Sequence, residues 1–166
     1  KKKEKPKKEA EKEDVPEEPQ SGNGVFIYPD TDFKYNGDWR LEPLPEIKEG
    51  EGADPELTNS KKYQRHGKGR YEENGNIYEG DWDADRMHGV GSFQFASGAH
   101  YEGDWKDNRF NGNGTYKWIN DSSYTGEWKD NKMHGNGTYI SADGKKWHGP
   151  FFNGVGDGLS LDSITL

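Results

Sequence analysis

The frame Tyr-x-Gly-x-Trp returns along this chain at a fixed step, and that step limits the fold more than any other property of the sequence. It stands at Tyr35/Gly37/Trp39, Tyr78/Gly80/Trp82, Tyr101/Gly103/Trp105 and Tyr124/Gly126/Trp128, and in altered form at Trp147/Gly149/Phe151. The frames that begin at positions 78, 101, 124 and 147 are each 23 residues apart. A period of this size marks a repeat architecture, in which each unit is one supersecondary element that buries its apolar face only against its neighbours.

Each unit reads as a β-hairpin. From Tyr101 to Trp105 the odd positions are Tyr, Gly and Trp and the even ones Glu and Asp, the alternation of a strand with one buried and one wet face. The next strand, Gly114 to Trp118, places Gly114, Tyr116 and Trp118 on one face, and the intervening "KDNRFNGN" reads as a turn-rich connector. Gly-x-Gly markers keep the same pace at Gly67/Gly69, Gly89/Gly91, Gly112/Gly114 and Gly135/Gly137, with an earlier copy at Gly22/Gly24. Glycine inside a strand normally weakens it. Its recurrence at Gly80, Gly103 and Gly126 predicts that a neighbouring hairpin's rings lie across these positions.

Composition alone points the other way. Leu, Ile, Val and Phe together make 23 of the 166 residues, below the fraction at which a highly charged chain builds an ordinary core. The 22 aromatic residues keep register with the repeat, so order is predicted where the repeat is. The chain has no cysteine, which excludes disulfides and thiolate chemistry and fits a reducing compartment. No apolar run reaches membrane-span length, and a cytoplasmic protein is the expectation.

The expected organisation has three parts. Residues 1–20 form a charged low-complexity tail, basic over Lys1 to Lys8 and acidic over Glu9 to Gln20, expected to be disordered or held by a partner. Residues 21–158 carry the hairpin array, interrupted at about 40–62 by a Pro-rich acidic insertion that reads as a long loop. Residues 159–166 are a capping or docking segment in which Leu159, Leu161, Ile164 and Leu166 are expected to cover the last open edge.

The units "YEGDWDADRMHGVGSFQFASGAH", "YEGDWKDNRFNGNGTYKWINDSS" and "YTGEWKDNKMHGNGTYISADGKK" resemble the MORN repeat, named for membrane occupation and recognition. The copies differ in detail, since Asn111 stands where the others carry His and the copy at Trp147 is degenerate. The resemblance implies an all-β, elongated, single-layer array of antiparallel hairpins with a groove along one face. It further implies a non-enzymatic scaffold or adaptor, with settings that include ciliary and flagellar axonemes, radial spokes among them, and membrane contacts.

For partner contact the candidates are Tyr78, Trp82, Tyr101, Trp105, Tyr124 and Trp128, and from the second strands Phe95, Tyr116, Trp118 and Tyr139. For the first six, packing between repeats is the favoured role, because a single layer has little else to bury. Asp38, Asp81, Asp104 and Glu127 read as a solvated acidic stripe, too widely spaced for paired-carboxylate catalysis. His66, His88 and His134 recur one per hairpin, too far apart to share a metal, and are expected to hydrogen-bond in the turns. No nucleophile constellation or phosphate loop appears, so no catalytic residue, cofactor or metal is expected.

The expected function is a structural adaptor docking protein partners along the groove, in a cilium or flagellum. The alternative is a membrane-contact adaptor binding anionic phospholipid through Lys1, Lys2, Lys3, Lys5, Lys7 and Lys8. The net charge of −8 resides entirely outside the first 20 residues and disfavours both anionic lipid and nucleic acid.

Overall fold

The computed structural model describes residues 20–29, 31–42 and 62–162. The basic tail with Lys1, Lys2, Lys3, Lys5, Lys7 and Lys8, the bulk of the insertion, and Ile164 and Leu166 lie outside the described residues.

Among the described residues all regular structure is β. The strands are β1 (Ser21–Ile27), β2 (Lys34–Leu41), β3 (Tyr63–Glu73), β4 (Asn76–Asp83), β5 (Arg86–Gln94) and β6 (His100–Lys106), followed by β7 (Arg109–Lys117), β8 (Ser123–Lys129), β9 (Lys132–Ile140), β10 (Lys146–Phe152), β11 (Val155–Gly156) and β12 (Ser160–Leu161). Each strand from β1 to β10 pairs antiparallel with the next, and β12 pairs with β10, giving one open sheet. This is the predicted single-layer array.

The connectors are shorter than the sequence suggests. Asp107 and Asn108 alone join β6 to β7, both with positive φ, the type I′ geometry whose twist matches the flanking strands. Ala84/Asp85 and Asp130/Asn131 repeat it. Most of "KDNRFNGN" is therefore strand. Its glycine content reflects a β-bulge, because the register shifts between Gly103 and Trp105 where Gly112 adopts φ +108°. Phe95 and Trp118 correspondingly fall just past the ends of β5 and β7 and begin the longer turns.

Glycines line up across the sheet. In register, Gly24 pairs with Gly37, Gly37 with Gly69, Gly69 with Gly80 and Gly80 with Gly91, and the line continues through Gly103, Gly114, Gly126 and Gly137 to Gly149. The ring over each pair comes from the same hairpin, not from a neighbour as the sequence suggested: a Cβ on Gly80 would meet Gly91 Cα at 2.5 Å and the Tyr78 hydroxyl at 2.6 Å. The reason is geometric, since Tyr78 lies two residues before Gly80 on the same strand face.

Tryptophan then joins hairpin to hairpin. Trp82, Trp105 and Trp128 donate their indole N–H to the carbonyls of Gly69, Gly91 and Gly114 in the preceding unit, at 3.1, 3.0 and 3.1 Å. Tyr78 meets the next unit's Trp105 edge-on at 5.2 Å between ring centres, and Tyr101 meets Trp128 at 5.5 Å. Such edge contacts add about 0.5–1.5 kcal/mol each beyond burial. The core is thus a ladder of rings rather than an aliphatic interior, which is why so few aliphatic residues suffice.

At the C-terminal end Leu159 takes the place of the ring. It packs against the aromatic cluster, and a Cβ on Gly149 would meet its Cδ2 at 3.1 Å. Leu161 pairs with Trp147 through its backbone while its side chain is exposed, so the covering of the aromatic face here falls to Leu159.

Candidate functional site

The first six candidate aromatics are interior. Tyr78, Tyr101 and Tyr124 are 0% exposed and Trp82, Trp105 and Trp128 no more than 6%, so these rings form the floor of the face and present almost no surface. Each tyrosine hydroxyl donates to the backbone carbonyl three residues ahead, Tyr78 to Asp81 at 2.8 Å, Tyr101 to Asp104 at 2.9 Å and Tyr124 to Glu127 at 3.0 Å. Burial, reinforced by the neighbouring Glu127 carboxylate, pushes the Tyr124 hydroxyl up to about 12. Burial and the nearby acid raise Tyr78 and Tyr101 further.

The other four candidates form the accessible layer. Phe95, Tyr116, Trp118 and Tyr139 are half-buried and stand in one continuous chain of contacts, with ring centres 5.7 Å apart for Phe95/Tyr116, 4.8 Å for Tyr116/Trp118 and 6.0 Å for Trp118/Tyr139. Phe93 extends the row at 4.6 Å from Phe95, and Trp147 extends it at 5.9 Å from Tyr139. Phe93 was legible in the sequence, since Phe93, Tyr116 and Tyr139 stand 23 residues apart. The row crosses successive repeats, which follow one another at about 10 Å, the width of two strands.

At its N-terminal end the row opens into a pocket of about 370 Å³ whose lining includes Arg65, Tyr71, Glu73, Trp82, Asp85 and Phe93. Arg65 occupies the position that later units fill with Met87, Phe110 and Met133. Its guanidinium lies 4.2 Å from the Trp82 ring centre and 4.9 Å from that of Tyr71, and its Nε pairs with Asp85 at 3.2 Å. A charge in this otherwise apolar column is held by two ring faces and one carboxylate.

The recurring acids are not a free stripe. One oxygen of each accepts a backbone N–H from the strand beside it: Asp38 from Lys68 at 2.9 Å, Asp81 from Val90 at 3.0 Å, Asp104 from Asn113 at 2.7 Å and Glu127 from Asn136 at 3.0 Å. Each donor follows a bulge glycine of positive φ (Gly67, Gly89, Gly112, Gly135), where N–H groups fall out of the ladder. The hydrogen bonds from Asn23 and from the Lys68 N–H lower the Asp38 carboxyl. For Asp81, burial opposes ionisation but is outweighed by Lys68 and the Val90 N–H, so it too is lowered.

The turns carry a second joint that the sequence reading missed. Asp85, Asn108 and Asn131 accept the backbone N–H of Arg65, Met87 and Phe110 in the preceding unit, at 2.8, 2.9 and 2.8 Å. Their own N–H groups donate back to the carbonyls of the same residues at 3.0–3.1 Å. The 23-residue recurrence of these turn positions was the available signal.

The histidines stand inside the strands at the bulges rather than in the turns: the carbonyls of His88 and His134 accept the hydroxyls of Tyr78 and Tyr124 at 3.5 and 3.1 Å, and the His66 ring lies 3.5 Å from Arg40 and 3.4 Å from Asp83. Among the described residues no group of three His, Asp or Glu converges to hold a metal ion, and no helix is long and apolar enough to cross a membrane. The face presents a row of half-buried rings on a rigid floor.

Comparison with known proteins agrees with this geometry. No curated protein matches the chain. The MORN repeat matches at residues 20–33, 61–76, 78–100, 101–123 and 124–146, more than half of the sequence. These repeats form a non-enzymatic class that mediates protein or membrane interactions. The chain belongs to the MORN-repeat family.

Proposed function

We propose that this protein is a structural adaptor that docks a protein partner along the row Phe93, Phe95, Tyr116, Trp118, Tyr139 and Trp147, as a subunit of a ciliary or flagellar axoneme complex. The observation that carries the docking reading is the division of labour among the rings. The inner tyrosines and tryptophans complete the fold, and the outer row still leaves aromatic surface half-exposed across successive repeats. Half-exposed Tyr and Trp on a rigid support are the residues that dominate protein interfaces. The axonemal setting comes from what the family is known for, and the net charge of −8 supports a protein partner over anionic lipid.

Crosslinking mass spectrometry on the native protein in its own cells tests the proposal. Crosslinks from residues beside the row to axonemal proteins, lost in a Trp118→Ser/Tyr139→Ser variant, are the expected result. Contacts confined to membrane proteins, with liposome binding that disappears when residues 1–8 are deleted, would replace it with the lipid reading.

A further inference from the structure

The two ends of the sheet are built differently. At the C-terminal end the outer edge of β10 is covered by β11 and β12, Pro150 offers no N–H, and Lys146 and His148 are tied to Asp162 at 3.1 and 2.8 Å. These are the usual protections of an edge. At the N-terminal end β1 has a single strand neighbour among the described residues, β2.

The hydrogen-bonding phase of β1 fixes which groups face outward. Leu41 N–H donates to the Gln20 carbonyl at 2.8 Å and Tyr28 N–H to the Phe33 carbonyl at 3.2 Å, and the register between them runs without a bulge. Even-numbered residues therefore bond to β2. The N–H and C=O groups of Ser21, Asn23, Val25 and Ile27 point the other way, along the free edge.

Among the described residues that edge carries neither charge, proline nor bulge. Among the described strands longer than two residues, β1 alone carries no Asp, Glu, Lys or Arg, in a chain that is 33% charged. It has no proline, and Val25 and Ile27 are 57% and 70% exposed on one face. A long, uncharged edge with β-branched residues in water is a template for another strand.

We infer that β1 pairs antiparallel with β1 of a second copy about a twofold axis, joining two arrays into one continuous sheet. A net charge of −8 makes two copies repel over most of their surfaces, and the uncharged strand is where they can approach. A twofold arrangement lets the outward groups of each β1 satisfy those of the other and brings Val25 and Ile27 of both copies onto one shared face. The inference is independent of partner docking on the aromatic row, which lies on other strands.

Sedimentation of the full chain over a concentration series, with amide exchange read alongside, tests this. The expected result is a mass near twice 18.9 kDa at high concentration, with exchange of the Asn23, Val25 and Ile27 amides slowing as the dimer forms. Val25→Pro should abolish the dimer and leave circular dichroism unchanged, because that N–H does not bond to β2 and the preceding Gly24 has no Cβ to clash with the ring. Ile27→Lys, a substitution at an exposed side chain, should do the same by placing like charges at the joint. A chain monomeric at every concentration would overturn the inference, as would a dimer that survives both substitutions. Edge amides protected at all concentrations in a monomer would overturn it too, and would assign the edge to another segment of the same chain.

Discussion

The indole N–H of Trp105 donates to the carbonyl of Gly91 at 3.0 Å, a buried bond from one hairpin to the one before it. The same bond recurs from Trp82 and Trp128, so the tryptophan of each frame is a joint between units as well as a packing ring. Replacing Trp105 by Phe keeps most of the ring and removes one of two hydrogen bonds at the Gly91 carbonyl, which in this register also accepts the Gly103 N–H. The expected loss is about 0.5–1.5 kcal/mol in denaturant unfolding, the net worth of one hydrogen bond. Linear repeat proteins transmit such a loss through one interface, so amide exchange should rise mainly in the strands beside it.

Glycine substitutions should split into two classes. Gly80→Ala forces a methyl against Gly91 Cα and the Tyr78 hydroxyl, both within 2.6 Å, and backbone on one side cannot yield. A loss of about 3 kcal/mol or more is expected, at the upper end of overpacking penalties. Gly144 has φ +81° and nothing within 4 Å of an added Cβ, so Gly144→Ala should cost only the left-handed backbone term, about 1 kcal/mol. Equal midpoints for the two variants would contradict the ring-over-glycine account.

How much of this was readable beforehand follows from what a period can and cannot convey. The spacing of Tyr78, Tyr101 and Tyr124 conveys the hairpin array and its buried face, because period-two alternation and a fixed repeat are both written in residue type. The bulges at Gly89, Gly112 and Gly135 are not readable as bulges. A Gly-x-Gly pair looks the same in a turn and in a strand that gains one residue, and only the partner register distinguishes them. For that reason Asp81, Asp104 and Glu127 read as free in the sequence when each is holding the bulge beside it. Phe95 and Trp118 read as strand residues, and they begin the turns because β5 and β7 end one residue earlier.

The buried tyrosines make the fold sensitive to alkali. Tyr124 has a folded-state value of about 12 against 10.0 in the unfolded chain, and Tyr35, Tyr78 and Tyr101 are raised in the same direction by burial. A raised folded value favours the protonated form, so this stability is complete below pH 10 and falls as pH rises from there. Tyrosinate absorbance and circular dichroism should therefore change together above pH 10, the buried hydroxyls ionising as the sheet opens. Tyr124→Phe should lose about 1 kcal/mol at neutral pH with its hydrogen bond and show a shallower alkaline decline.

The turn joint can be isolated at Asn108. Its side chain accepts the Met87 N–H at 2.9 Å, and its φ of +65° is one that glycine adopts freely. The equivalent residue between β10 and β11 is already glycine, Gly154, whose N–H still donates to the Met133 carbonyl at 2.9 Å. Asn108→Gly thus removes the acceptor and keeps the backbone geometry. A loss of about 0.5–1.5 kcal/mol is expected in thermal or denaturant unfolding, with no change in the circular dichroism of the folded state.

Arg65 and Asp85 offer a sharper test of what a charge contributes inside the ladder. Later joints pair Met87 with Asn108 and Phe110 with Asn131, so Arg65→Met/Asp85→Asn converts this first joint to the pattern of the two that follow. The amide oxygen that Asp85→Asn introduces can still accept the N–H of position 65, as Asn108 does for Met87. Replacing a partly buried pair by apolar packing is commonly neutral or stabilising, so the double variant should unfold at or above the wild-type midpoint. Arg65→Met alone leaves the Asp85 carboxylate without its cation and should fall below the double variant. Because Asp85 keeps 37% of its side chain in water, the gap should be small, about 1 kcal/mol. A double variant clearly less stable than wild type would mean that the guanidinium over Trp82 and Tyr71 contributes more to this end of the array than methionine packing can replace.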